Sequence, residues 1–434
     1  MGVNNRQRRA SKQRKRARER TTREAFTATS SASTGSECGP DPDVALAHAD
    51  LLVTRAVRAL IEAKGDAARA RGLAERTLRQ LAPVPVRFLG RATEDLLMRL
   101  VDSPARGGWG PGDLGELVRR RGGQHAVGVL AHVLADYAGR ETWPRASWFI
   151  GLDELGPATP PDADTVDGLA VVLQVAALLA IAPQVEGPTS TAGTSTTVAH
   201  PKLARVRALL AKAESTAYDE EAEALSAKAQ ELISRYSLER LLEEHEPGEH
   251  EGSRVAGRRI WLDAPYVLAK SQLVHEVADA NRCRALVTEE LGFCLVIGPP
   301  ADLDAVELLV TSLLVQANTA MLRHGRSIDA GGASRTRSFR QSFLVAYAVR
   351  IGDRLRSAAA SAVRQSGEEA RLLPVLHDQR TRVDEAFTAM APNVVTKSVS
   401  ATNNSGWAAG RAAAELALLD VHGQITDAGL TPRR

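Results

Sequence analysis

The sequence predicts a mainly α protein: a helical N-terminal domain, a central αα-hairpin and a C-terminal α+β unit with a short β-hairpin. Three observations predict it. Apolar residues recur at helical spacing through most of residues 46–182, with Gly or Pro between the runs. Two amphipathic runs joined by a short turn stand together at 200–242. Beyond Ile260, two short β-rich runs flank Glu289-Glu-Leu-Gly292 among longer helical stretches.

The chain of 434 residues has room for two or three domains, and 44% hydrophobic with 25% charged residues is ordinary for globular protein. Its charge is local. Residues 6–20 hold nine cations, Arg6, Arg8, Arg9, Lys12, Arg14, Lys15, Arg16, Arg18 and Arg20, against Glu19 alone. That segment contributes +8 to a formal total of +3, so the remainder carries −5. With almost nothing apolar to bury, it is expected to be disordered until it meets an anion, and a phosphate backbone is the natural partner. It lacks the apolar core that a secretory signal carries, and without Leu, Phe and Trp it is not expected to insert in a membrane, though anionic lipid could attract it electrostatically. Residues 1–42 are therefore read as a basic tail and linker, the linker part rich in Ser, Thr, Gly and Pro.

A helical domain over 43–183 follows. Its expected helices are Leu46–Ala63, Leu73–Leu81, Ala92–Val101, Leu114–Arg121, Gln124–Ala138 and Leu169–Ala182. The last is nearly all apolar but shorter than the roughly 20 residues a membrane span needs, which makes it a buried core helix. Gly110-Pro-Gly-Asp-Leu-Gly115 fits a dinucleotide-binding string by letter, yet it follows a helical run and Pro111 removes an N–H that a phosphate cradle would use. His125, His132 and Asp136 share a helix face, but two turns separate the imidazoles, about 10 Å, too far for one ion. Neither is taken as a site.

Residues 184–199 and 243–257 read as linkers on either side of the αα-hairpin. Leu203, Val206, Leu210 and Ala213 form the stripe of its first helix, and Ala222, Leu225, Ala229, Leu232, Ile233 and Tyr236 that of its second. Glu221, Lys228 and Arg235 line an outward flank at seven-residue spacing and are its candidate interaction residues.

In the α+β unit, 258–422, helices are expected at Val267–Ala280, Leu303–Leu322, Phe339–Ser361, Asp384–Met390 and Asn404–Asp420. Strands are expected at Arg284–Thr288, Phe293–Ile297 and Val394–Val399. Residues 423–434 are read as a tail. Gly406, Gly410 and Ala414 recur every fourth position, so a neighbouring element can approach that face closely. Arg323, Arg326, Arg335, Arg337 and Arg340 crowd around Asp329-Ala-Gly-Gly-Ala333 and could hold phosphate, with Asp302, Asp304 or Glu307 as candidate acids. His275-Glu276-Val-Ala-Asp279 starts like a zinc-protease helix but has Asp where the second His should stand. No metal or cofactor is called for. Cys38, Cys283 and Cys294 are odd in number and form no CxxC, which fits a reducing, cytoplasmic setting with Cys283 and Cys294 as buried inert thiols.

Lys202-Leu203, Val206, Leu209-Leu210, Ala213-Glu214-Ser215-Thr216, Glu221-Ala222-Glu223 and Lys228-Ala229-Gln230-Glu231-Leu232 resemble the pattern of the bacterial and phage family called domain of unknown function 2786. The region after Ile260 resembles the C-terminal part that accompanies this module, through Cys283-Arg284, Ile297-Gly298, Ser338-Phe339 and Gly406 to Gly410. The resemblance implies a fold unit and supplies no activity. No Walker loop and no nucleophile elbow occur, so the expected function is nucleic-acid association or binding rather than catalysis. The alternatives are a phosphoester-directed hydrolase in the C-terminal unit and a protein-interaction scaffold built on the hairpin. Nucleic acid and a protein are the expected partners, and the oligomeric state is not specified.

Overall fold

The apolar run that ends the helical region is surrounded on all sides. In the computed structural model, which describes residues 41–82, 84–140, 146–183, 255–323, 335–365, 369–392 and 394–417, it forms α6, Val166–Ile181. Before it come α1 (Pro42–Glu62), α2 (Ala67–Leu81), α3 (Arg87–Arg106), α4 (Pro111–Arg140) and α5 (Ala146–Leu155). Helices α1 to α4 all pack on α6. Its residues from Gly168 through Ala170 and Val172 through Leu179 are buried, as a helix apolar all round requires.

Caps and breaks follow the local chemistry. The Asp41 carboxylate accepts from the Asp43 N–H at the start of α1, Asp66 caps α2 through Arg69 N–H, and Thr165 caps α6 through Gly168 N–H. Gly123, at φ 75°, kinks α4 and so divides it where the sequence predicts two helices. The kink frees the Arg121 carbonyl, which the buried Gln174 amide satisfies at 3.1 Å while also reaching the Gly65 carbonyl at 2.8 Å. Gly110-Pro-Gly-Asp-Leu-Gly115 lies between α3 and the first turns of α4, with no strand before it. His125 is exposed, and Asp136 on the same helix is engaged by Arg140 at 2.5 and 3.1 Å.

The chain divides into two units, Met1–Gln184 and Val185–Arg434. In the second, β1 (Ala256–Trp261), α7 (Val267–Ala280), β2 (Arg284–Thr288), β3 (Phe293–Gly298), α8 (Pro300–Arg323), α9 (Thr336–Gln365), α10 (Glu369–Met390) and α11 (Asn404–Leu416) succeed one another. The sheet order is β1-β3-β2, with β3 antiparallel to both neighbours. Ile260, Cys294, Val296, Ala285 and Val287 share one face of it and join the core with α7, α8 and α9. Arg284, Leu286, Leu295 and Ile297 are on the other face, where Arg284 meets Asp384 and the ring of Phe387 from α10. β3 is thus buried on both sides, and all six of its residues are buried.

The every-fourth-residue stripe of α11 meets α9. A Cβ on Gly406 would be 2.3 Å from the Phe339 carbonyl oxygen, and one on Gly410 would be 2.2 Å from that of Phe343. Residue numbers rise together along this contact, so the two helices run parallel and need the long crossover through α10 and residues 391–403. Arg350 grips Glu415 through two bonds, and Arg354 donates to the carbonyls of Ala414, Glu415 and Ala417, closing the C-terminal end of α11.

The fold is mainly α, as expected. Two strand expectations change. Residues 394–399 form no strand: Val394 and Val395 are exposed and the segment runs alone, held at Lys397–Glu289 and Gln341–Ser400. β1 begins at Ala256, inside the expected linker 243–257, because Arg258 and Arg259 hide its strand character. α8 over Asp302–Arg323 is long and apolar enough by composition to cross a membrane, yet Leu303, Val306, Val310, Leu313 and Ala317 on it are core residues of this unit. The expected αα-hairpin at 200–242 lies outside the described residues.

Candidate functional site

The basic segment 6–20, the flank Glu221, Lys228 and Arg235, and Arg326 also lie outside the described residues. Of the remaining arginines, Arg323 is exposed at the end of α8, and Arg335 and Arg337 are exposed at the start of α9 with Arg340 half-buried one turn on. The fold brings Arg335, Arg337 and Arg340 onto the first turns of one helix. The Nε of Arg340 is buried without a hydrogen-bond partner among the described residues.

The three candidate acids are not free carboxylates. Asp302 takes both Nε and Nη2 of Arg282, at 3.1 and 2.6 Å, while Asp304 and Glu307 share Nη1 of Arg258 at 2.5 and 2.8 Å. The Asp302 side chain is buried at 4% exposed and that of Arg282 is 18% exposed, so this is a partly buried, two-bonded pair. A hydrolase acid drawn from these residues would first have to leave its arginine, which counts against that assignment. The His275 to Asp279 string serves packing: His275 Nδ1 bonds the Ser271 carbonyl, and Glu276 accepts from Arg356 at 2.7 Å and from Gln272. Among the described residues no three His, Cys, Asp or Glu side chains gather as a metal site.

What the fold does build is a cavity of ≈ 360 Å³ under α10. Its floor is the turn that ends α7. The Cys283 N–H bonds the Ala278 carbonyl and the Arg282 N–H bonds that of Asp279, the paired bonds of a Schellman C-cap. That motif needs a left-handed residue, for which glycine is usual, and here Arg282 occupies it at φ 59°. An L side chain costs roughly 1 to 2 kcal/mol in this conformation. Its guanidinium is anchored by Asp302, and Arg282 is among the residues that line the cavity.

Beside it Cys283 is buried and its Sγ–H donates to the Asn281 carbonyl at 3.3 Å. Burial pushes both thiols up, that of Cys283 well above its ordinary range and that of Cys294 to about 12. Both thiols are buried, as the sequence predicts. Gly298 lies against Cys283, where a Cβ would meet Sγ at 2.3 Å. The walls are apolar, from Ala359, Ala360 and Val363 of α9 and Leu373, Leu376 and Val383 of α10. Around the mouth Arg284 faces Asp384 at 3.3 Å, and Asp279 is shared by Arg380 at 3.8 Å and Arg356 at 3.9 Å.

Residues 202–240 match the family described as a protein of unknown function, DUF2786. The similarity is to one segment and not to the whole chain. The match spans about a tenth of the chain, within the second unit and outside the described residues. No curated protein and no solved structure matches the chain. The looser likenesses after Ile260 acquire a physical meaning: Cys283 touches Gly298, Phe339 touches Gly406, and Phe343 touches Gly410. They are close-packing contacts. The cavity escaped sequence reasoning because residues 279–284, 359–363 and 373–384 meet only in the fold. One signal was present, an arginine in the position just past a helix end where glycine is expected.

Proposed function

We propose that this DUF2786-bearing protein is a nucleic-acid-associated binding protein that acts within the cytoplasm and engages phosphates without reading bases. The observation that carries the reading is the density of nine cations against one anion in residues 6–20, a segment with no aromatic side chain to stack on a base. The −5 balance of the rest supports it, since polyanion attraction is then confined to the segment and to local arginine groups. Arg335 and Arg337, exposed on the first turn of α9, are the second place where phosphate contacts are favoured, because the positive end of the helix dipole adds to their charge.

Purification of the full chain with and without nuclease, followed by analysis of co-purifying nucleic acid, tests this reading. Stable nucleic acid of mixed sequence, lost on deletion of residues 1–24, is expected. Protein free of nucleic acid at low salt contradicts the reading. Nucleic acid that is consumed on standing would favour the phosphoester-directed hydrolase instead.

A further inference from the structure

Arg282 lines the cavity under α10 and keeps one strong donor without an acceptor among the described residues. Arg282 spends Nε and Nη2 on Asp302, and no acceptor among the described residues takes the hydrogens of its Nη1. We propose that this cavity binds a small amphipathic carboxylate, its head on Arg282 Nη1 and its apolar body against Ala360, Val363 and Leu376. The inference stands apart from the nucleic-acid reading and uses none of its residues.

Size, polarity and charge each narrow the ligand. A volume of ≈ 360 Å³ falls in the range of small-molecule sites, roughly 300–1,000 Å³, and apolar walls with a few convergent polar groups are their usual lining. A cation is disfavoured, because each carboxylate near the cavity has an arginine counter-ion, Asp302 with Arg282, Asp384 with Arg284, and Asp279 with Arg380 and Arg356. A wholly apolar ligand would cover the Nη1 donors without replacing their water, which is unfavourable. A polyanion is disfavoured because the floor pair and the Arg284–Asp384 pair are each neutral overall. A single negative charge remains, and a planar carboxylate suits a guanidinium edge. The arginine held in glycine's backbone conformation fits a group kept for its side chain.

Isothermal titration calorimetry of the full chain with sodium octanoate and with 1-octanol tests this. Octanoate should bind, and octanol should bind about tenfold or more weakly, the effect of losing a charge-assisted bond. Arg282→Gly combined with Asp302→Asn removes the guanidinium, suits the left-handed turn and leaves no unpaired buried carboxylate. It should abolish the difference between the two probes. Ala359→Leu, which narrows the cavity and alters no charge, should weaken octanoate severalfold and keeps the test decisive if the double variant fails to fold. No heat from octanoate at millimolar concentration, equal binding of octanol by the unaltered chain, or octanoate binding unchanged in Ala359→Leu would overturn the proposal.

Discussion

At Gly410 the obstacle to a side chain is backbone, the Phe343 carbonyl, which cannot swing away as a flexible side chain would. Gly410→Ala should therefore cost about 1–3 kcal/mol by forcing α9 and α11 apart. Gly72, inside α2 with nothing within 4 Å of its would-be Cβ, is the control. There alanine should stabilise by roughly 0.5–1 kcal/mol through helix propensity. Urea denaturation of the two variants checks both signs, and equal shifts would mean that the α9–α11 contact is looser than described. At this scale the sequence was legible wherever spacing carries the information, as in the Gly406, Gly410 and Ala414 stripe. It was not legible at Arg258 or Arg282, whose roles depend on carboxylates 46 and 20 residues away.

Between elements, the two kinds of ion pair should behave differently. Asp302 ties the α7–β2 turn to α8 from a side chain 4% exposed, and Asp302→Ala should destabilise the unit by about 1–3 kcal/mol because it leaves the half-buried Arg282 without its counter-ion. Asp384→Ala removes a pair exposed by nearly half on both sides and should cost less than about 1 kcal/mol. Thermal melts of both variants compare them. The Glu415 carboxyl, which joins α11 to α9, is held below its ordinary range chiefly by its hydrogen bonds to Arg350. Its contribution is present above the unfolded value of about 4.3 and is lost as pH falls through the lower native one. The stability gap between the unaltered chain and Glu415→Gln, measured from pH 7 downward, should narrow in that window, and a gap that grows on acidification would contradict the pairing. Elements with clear periodicity were predicted closely: Val267–Ala280 and Arg284–Thr288 coincide with α7 and β2. β1 was missed because its arginines conceal a buried strand, and α10 was cut short at its N-terminal side by polar residues and Pro374. The Val394–Val399 run has strand-forming residues but no partner strand among the described residues, and propensity without pairing makes no sheet.

Over the whole chain the dominant feature is the separation of charge, +8 in residues 6–20 and −5 elsewhere. Composition made that legible at once, whereas the cavity is a property of the folded second unit and could not be read from any single stretch. If charge separation is what gives the protein its partner, binding must respond to salt in a definite way. Fluorescence anisotropy of a labelled random duplex, titrated with the full chain at several salt concentrations, measures this most directly. With roughly six of the nine cations on phosphates, log affinity should fall against log salt with a slope of about −5, and the slope should flatten when residues 1–24 are removed. An affinity insensitive to salt, or one unchanged by that removal, would contradict the assignment of nucleic-acid binding to the basic segment.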